Sequence, residues 1–111
     1  MQGGPGTSSL LSSLLETGPC LITEANTTAC NPESWAESFN MLYVDQPAGV
    51  SLSYVHEPSA YPNRTGDAVR DVVSLIELVY EVFPHISKTS LYIAGESFGG
   101  EVWPGSCVAD P

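Results

Sequence analysis

The sequence is poor in positive charge. Arg64, Arg70 and Lys88 are its only basic side chains against thirteen acidic ones, and the formal net charge is -10 over 111 residues. A polyphosphate needs a basic face, so nucleic acid is excluded as a partner, and an acidic membrane surface is excluded with it. Long hydrophobic runs are also missing: no stretch approaches the roughly 20 apolar residues that span a bilayer. No secretory leader is visible, since Met1 is followed at once by Gln2-Gly3-Gly4-Pro5-Gly6. Cysteine is scarce and odd in number. Cys20 and Cys30 lie close enough in sequence to close a local disulfide or to remain as two thiols, which leaves Cys107 over. Histidine is limited to His56 and His85, both in polar, loop-like surroundings that suit surface residues.

What is present begins with 91–100, Leu-Tyr-Ile-Ala-Gly-Glu-Ser-Phe-Gly-Gly. An apolar strand running into Gly95-Glu96-Ser97-Phe98-Gly99 fits a nucleophile elbow. In such a turn the serine hydroxyl stands clear of the backbone and the next N–H is free to bind an oxyanion. The alternative is a glycine-rich turn with a solvated serine. Upstream, Val69, Val72, Val73, Ile76, Val79, Tyr80 and Phe83 recur at helical spacing, which predicts a helix over 67–83, stopped by Pro84. Arg70, Asp71, Ser74, Glu77 and Glu81 form its solvated face. Ser8 and Ser9 can cap a shorter helix reaching about Glu16, with Leu10, Leu11, Leu14 and Leu15 on its buried side. The apolar run Met41-Leu42-Tyr43-Val44 predicts a strand over 39–45, buried on both faces, and a second strand is predicted over 90–94. Residues 20–38 read as irregular and polar apart from Trp35. The alternation of strand and helix argues for an α/β fold with parallel strands flanked by helices. Two sequons, Asn26-Thr27-Thr28 and Asn63-Arg64-Thr65, fall in turn-rich segments where a glycan is tolerated.

Four ordered segments resemble the serine carboxypeptidases of the α/β-hydrolase fold. They are Gly3-Gly4-Pro5-Gly6 with Ser8-Ser9, Glu16-Thr17-Gly18-Pro19, Asn31-Pro32-Glu33-Ser34-Trp35 with 40–50 around Asp45-Gln46-Pro47, and 91–100. The likeness covers about residues 2–104. It implies that Ser97 is the nucleophile and that the N–H groups of Gly4 and Phe98 form the oxyanion hole. It implies further that Gln2, Gly3, Glu16 and Glu96 hold the free C-terminal carboxylate of a peptide or protein substrate. Protons shared between close carboxyl groups would let two glutamates face that carboxylate at acid pH. From the residues alone, Glu16 reads as a solvated helix end. The resemblance implies no cofactor and no metal, and with the sequons it implies a secreted, vacuolar or lysosomal setting. Oligomeric state is not readable.

The pattern is incomplete. In α/β-hydrolases the acid and the histidine follow the serine, yet the fourteen residues after Ser97 contain no histidine. Residues 1–111 therefore read as a fragment of a catalytic domain truncated at both ends, with 105–111 outside the family pattern and the isolated chain inert. Thr7 stands where many members have Cys, and Ser51 where glycine is usual. The competing readings are a carboxypeptidase-like acyltransferase, a non-catalytic remnant and, less well matched, a generic lipase or esterase.

Overall fold

The computed structural model describes residues 1–102. Their α-helices are α1 (Leu10–Leu15), α2 (Thr65–Val82) and α3 (Phe98–Val102), and β1 (Cys20–Glu24) and β2 (Thr27–Cys30) form a hairpin. Short 3-10 turns occupy Trp35–Glu37, Pro58–Ala60 and Ile86–Lys88. The expectation that 105–111 depart from the family lies outside the described residues.

α2 forms where the apolar period placed it. Ala68 and Val72 are buried, while Arg70, Asp71, Ser74, Glu77 and Glu81 face solvent. Asp67 in the first turn complements the exposed N–H groups there and pairs with Arg70 on the surface, an exposed contact worth little. The helix stops at Val82 because Pro84 disfavours helical geometry at Phe83, which caps it instead. α3 packs against α2, and Val102 at its end is fully buried.

α1 begins as predicted, and of the two serines it is Ser8 whose hydroxyl accepts the Leu10 N–H, at 3.1 Å. The Ser9 side chain makes no cap bond to α1. Its hydroxyl accepts the Gln2 N–H at 3.1 Å and donates to the Val44 carbonyl. The anion at the helix start comes from across the fold, where Asp45 Oδ1 accepts the Ser9 N–H and the Ser8 hydroxyl, both at 2.7 Å. The leucines are not buried as predicted: Leu10, Leu11 and Leu15 are exposed, Leu15 at 51%. Leu14 is half-buried, α1 packs against β1, and Leu10 borders a cavity with Leu42, Val44, Leu52 and Leu75 that they do not fill.

Residues 20–30 depart most from the irregular segment expected. Cys20 opposes Cys30, Leu21 opposes Ala29 and Ile22 opposes Thr28 in an antiparallel pair with a bulge before the turn. The two-residue turn Ala25-Asn26 puts Asn26 at φ +69°, a conformation that asparagine tolerates better than most side chains.

The parallel strands expected over 39–45 and 90–94 are absent from the described residues, which hold one two-stranded antiparallel sheet. The two segments do lie side by side, with the Phe39 and Tyr92 rings 5.9 Å apart edge-to-face. No backbone ladder joins them, and Leu42, Leu91 and Tyr92 remain exposed. The end of 90–94 does make a parallel-type bridge to the first residue: Ala94 C=O accepts the Met1 amine at 2.9 Å, and Met1 C=O accepts the Glu96 N–H at 3.1 Å.

The interior is correspondingly polar. Gln2, Ser9, Asn31, Ser34 and Gln46 are buried, against Ala68, Val72 and Val102 among apolar residues. Hydrogen bonds must therefore order what apolar packing does not.

Candidate active site

Ser97 sits between the extended segment 90–96 and the first turn of α3 at φ +52°, a left-handed conformation that costs a non-glycine residue roughly 1–2 kcal/mol. Around it the backbone is tightly fixed. Glu96 C=O accepts the Gly99 N–H at 2.8 Å, and Ser97 C=O accepts the Gly100 N–H at 2.9 Å. The side chain is exposed.

Gly3 lies against this turn. A Cβ at position 3 would stand 2.7 Å from the Phe98 nitrogen, 2.8 Å from the Glu96 carbonyl oxygen and 2.9 Å from Ser97 Cβ. Only glycine permits that approach. The next residue, Gly4, has φ +109° and is exposed. The chain thereby brings the Gly4 segment up to the elbow. No backbone hydrogen bond among the described residues occupies the N–H of Gly4 or Phe98.

Gln2 connects the rest. Its side chain is buried, 7% exposed, and Nε2 lies 3.0 Å from Glu96 Oε2, 3.1 Å from Glu16 Oε2 and 2.6 Å from Ser12 Oγ. The two carboxylate oxygens are thus no further apart than the sum of their distances to that nitrogen. A primary amide carries two hydrogens, so three acceptors compete for two donors. Gln2, Gly3, Glu16, Glu96, Ser97 and Phe98 are drawn into one surface patch, with Gly4 at its edge.

Several contributors were given no role from the sequence, although Asn31, Asp45 and Gln46 stand in the matching segments. Ser12 precedes Glu16 by four residues, so one face of α1 carries both, a spacing the sequence does display. Asn31 fixes the Glu16 end of that helix: its Nδ2 donates to the carbonyls of Glu16 at 2.9 Å and Gly18 at 2.8 Å, and its Oδ1 accepts the Glu33 N–H at 3.0 Å. Nothing local in the sequence signals that reach. Asp45 accepts the Ser8 and Ser9 donors on Oδ1 and the Leu52 N–H at 3.2 Å on Oδ2, while its carbonyl accepts the Ser53 hydroxyl at 2.6 Å. Burial alone would push its carboxyl up. The hydrogen bonds from Ser8, Leu52, Ser9 and Ser51 outweigh that and hold it below the usual carboxylate range. Ser51 itself stands at φ +48°, where glycine would be unstrained. Gln46 Nε2 donates to the Gln2 carbonyl at 3.3 Å, and its Oε1 is buried without a partner among the described residues.

Other residues stay apart. His56 stacks edge-on to Tyr54 at 5.3 Å and His85 on Phe83 at 6.4 Å, and both are exposed. Asn26 is at the hairpin tip and Asn63 precedes α2, both exposed. Among the described residues no cluster of three or more His, Cys, Asp or Glu side chains is placed to hold a metal ion. A cavity of about 270 Å³ between 44–54 and α2 is lined by Val44, Leu52, Ala68, Val72 and Leu75. Ser97 is not in its wall, and the serine instead faces open surface.

Comparison with known proteins agrees with the elbow and its surroundings. The sequence model of the serine carboxypeptidase family matches residues 1–108. The chain is 40% identical over 104 residues to the pheromone-processing carboxypeptidase KEX1 of Ajellomyces capsulatus, covering 94% of this chain and 16% of that protein. It is 34% identical over 104 residues to the venom serine carboxypeptidase of Apis mellifera, covering 94% of this chain and 22% of that protein. With carboxypeptidase sxa2 of Schizosaccharomyces pombe it shares 38% identity over 104 residues, 93% of this chain and 20% of the relative. The chain thus spans about a fifth of these relatives, and over that span it belongs to the serine carboxypeptidase family.

Proposed function

We propose that residues 1–111 carry the nucleophile, oxyanion and carboxylate-binding part of a serine-type carboxypeptidase that releases C-terminal residues from peptides and proteins. The family implies the α/β-hydrolase fold. The observation that carries the reading is the convergence of Glu16 and Glu96 on Gln2 Nε2, next to Ser97. A lipase or esterase has no use for two carboxyl groups at the leaving side of its substrate. A peptide ending in a free carboxylate does, since the Gln2 amide that both glutamates hold in place can offer it a donor.

In this scheme the substrate carboxylate meets the Gln2–Glu16–Glu96 cluster and the Gly3 N–H. Its last peptide carbonyl then lies over Ser97. Attack by the serine oxygen creates an oxyanion that the Gly4 and Phe98 N–H groups stabilise. Collapse breaks the C–N bond, the C-terminal residue leaves as an amine, and water later cleaves the Ser97 ester. Proton transfer at both steps needs a base. Neither histidine of this chain is at Ser97, so the 111-residue polypeptide alone is expected to be inert, as losing a triad base costs several orders of magnitude. Asn26 and Asn63, exposed within their sequons, support glycosylation and passage through the secretory pathway.

The test is binding of an N-blocked dipeptide to the chain at pH 5, followed by NMR, against the same dipeptide with its C-terminus amidated. The acid should bind and the amide should not, and Glu96→Ala should abolish the difference. Equal binding of acid and amide refutes the carboxylate role. Turnover of the acid, lost in Ser97→Ala, refutes the inertness.

A further inference from the structure

We propose that Cys20 and Cys30 form a disulfide in the folded protein, a covalent clamp across the hairpin that follows Glu16. The proposal rests on the hairpin's register and not on the proposed reaction. Cys20 and Cys30 are directly opposite in the antiparallel pair. One step outward, the Pro19 carbonyl accepts the Asn31 N–H at 2.9 Å, which makes Pro19 and Asn31 a hydrogen-bonded pair position. Such positions alternate with non-hydrogen-bonded ones, so Cys20 and Cys30 occupy the non-hydrogen-bonded type. There the Cα atoms approach to about 4.5 Å and both side chains leave the same face of the sheet. That separation lies within the range that disulfides span, about 4.4–6.8 Å.

Exposure points the same way. Unpaired cysteine is among the most buried residue types, yet both of these are exposed on a hairpin that buries none of its residues. Hydrophobic packing does not account for them. The clamp would also matter to the site. Pro19 and Asn31 directly flank the two cysteines, and Asn31 Nδ2 holds the carbonyls of Glu16 and Gly18. Closing Cys20 to Cys30 fixes the distance between the two segments that Asn31 ties together, and so fixes the end of α1 that presents Glu16.

The chemistry is thiol–disulfide exchange with a small-molecule disulfide such as glutathione disulfide. One cysteine thiolate attacks the oxidant's S–S bond and releases one glutathione thiolate. The second cysteine then attacks the mixed disulfide and releases the other. Two protein thiols are oxidised, one external disulfide is reduced to two thiols, and the two protons pass to the glutathione thiolates.

The experiment equilibrates the full 111-residue chain, made in bacteria, with glutathione and glutathione disulfide, then traps free thiols by alkylation. Cleavage after glutamate separates the cysteines into peptides 17–24 and 25–33. The expected result is a mass joining these two peptides, which splits on reduction. In urea sufficient to unfold the chain, the equilibrium constant for that bond should fall by about tenfold or more, because strand pairing no longer holds the thiols together. Alkylation of both cysteines in the folded chain overturns the proposal, as does a bond from either one to Cys107. An equilibrium constant unchanged by urea overturns the register argument.

Discussion

Replacing Asp45 by Asn tests whether a polar network holds this part of the fold. The carboxylate accepts the Ser8 hydroxyl and the Ser9 N–H at 2.7 Å and the Leu52 N–H at 3.2 Å. A hydrogen bond to a charged group contributes about 1.5–3 kcal/mol. Asn keeps one acceptor oxygen, so part of the set survives, but its NH₂ would face a donor in place of an acceptor. Asp45 is only half-buried, and solvent screening argues for the low end of the range. The net loss expected is about 2 kcal/mol. Against a urea dependence of roughly 1–3 kcal/mol per molar, the unfolding midpoint should fall by about 1 M.

The pH dependence gives a second, independent check. The Asp45 carboxyl is held below its ordinary range in the folded chain, where burial is outweighed by the bonds from Ser8, Leu52, Ser9 and Ser51. A depressed folded value means that the group's stabilisation is fully present above the unfolded value, about 3.9, and is lost as pH falls through the lower folded value. Asp45→Asn has no proton to gain there. Urea unfolding followed by far-UV circular dichroism at pH 7, 5 and 2.5 should therefore show a gap between the two proteins that is constant from pH 7 to 5 and shrinks below about 4. The other carboxylates titrate in both proteins and cancel in the difference. Equal stability at pH 7, or a gap as wide at pH 2.5 as at pH 7, refutes the reasoning.

Three further outcomes are expected, each read from the urea midpoint. Gly3→Ala places a methyl group against backbone atoms of the elbow and should cost about 1–3 kcal/mol; an unchanged midpoint would contradict the close approach. Asn31→Ala leaves the Glu16 and Gly18 carbonyls without their side-chain donor and should cost about 2–4 kcal/mol; a loss under 0.5 kcal/mol would show that water replaces it freely. Ser97→Gly should exceed Ser97→Ala in stability by about 1 kcal/mol, because alanine retains the left-handed strain that glycine relieves; equal midpoints would mean that Ser97 is unstrained in solution.

What was legible in the sequence followed from how local each signal is. α2 could be read because a seven-residue apolar stripe and a closing proline act within one element. The elbow could be read because Gly95 to Gly99 encode their own turn. The leucines of α1 and the runs 41–44 and 90–94 misled, since apolar residues specify burial without saying what covers them. Here Leu10, Leu11, Leu15, Leu42, Leu91, Tyr92 and Ile93 stand exposed, and the two segments form no ladder. The hairpin was missed for the opposite reason. Nearly all of its residues are exposed, so no alternation of apolar and polar positions marks it, and only β-branched content and the Ala25-Asn26 turn remained as cues. The grouping of Gln2, Glu16 and Glu96 was accessible through family resemblance. Asn31 reaches the Glu16 carbonyl from 15 residues away and Asp45 reaches Ser9 from 36, contacts that no local pattern encodes.

Strain at Ser97 persists only if its surroundings over-determine it. The described residues supply that without a parallel sheet. Before the serine, Glu96 is fixed twice, by its N–H to the Met1 carbonyl and by its carboxylate to Gln2 Nε2. After it, the Gly99 and Gly100 N–H groups close the first turn of α3. Gly3 fills the space beside the turn, and Gln2 is itself held by Ser9 and Gln46. Ser9 in turn is bound to Asp45. The chain of contacts from Asp45 to Ser97 is therefore continuous, and each link is a hydrogen bond or a backbone approach that only glycine allows. The geometry of this half of the site depends on polar satisfaction more than on a hydrophobic core. Acid, which protonates Asp45, should loosen the elbow before it melts α2.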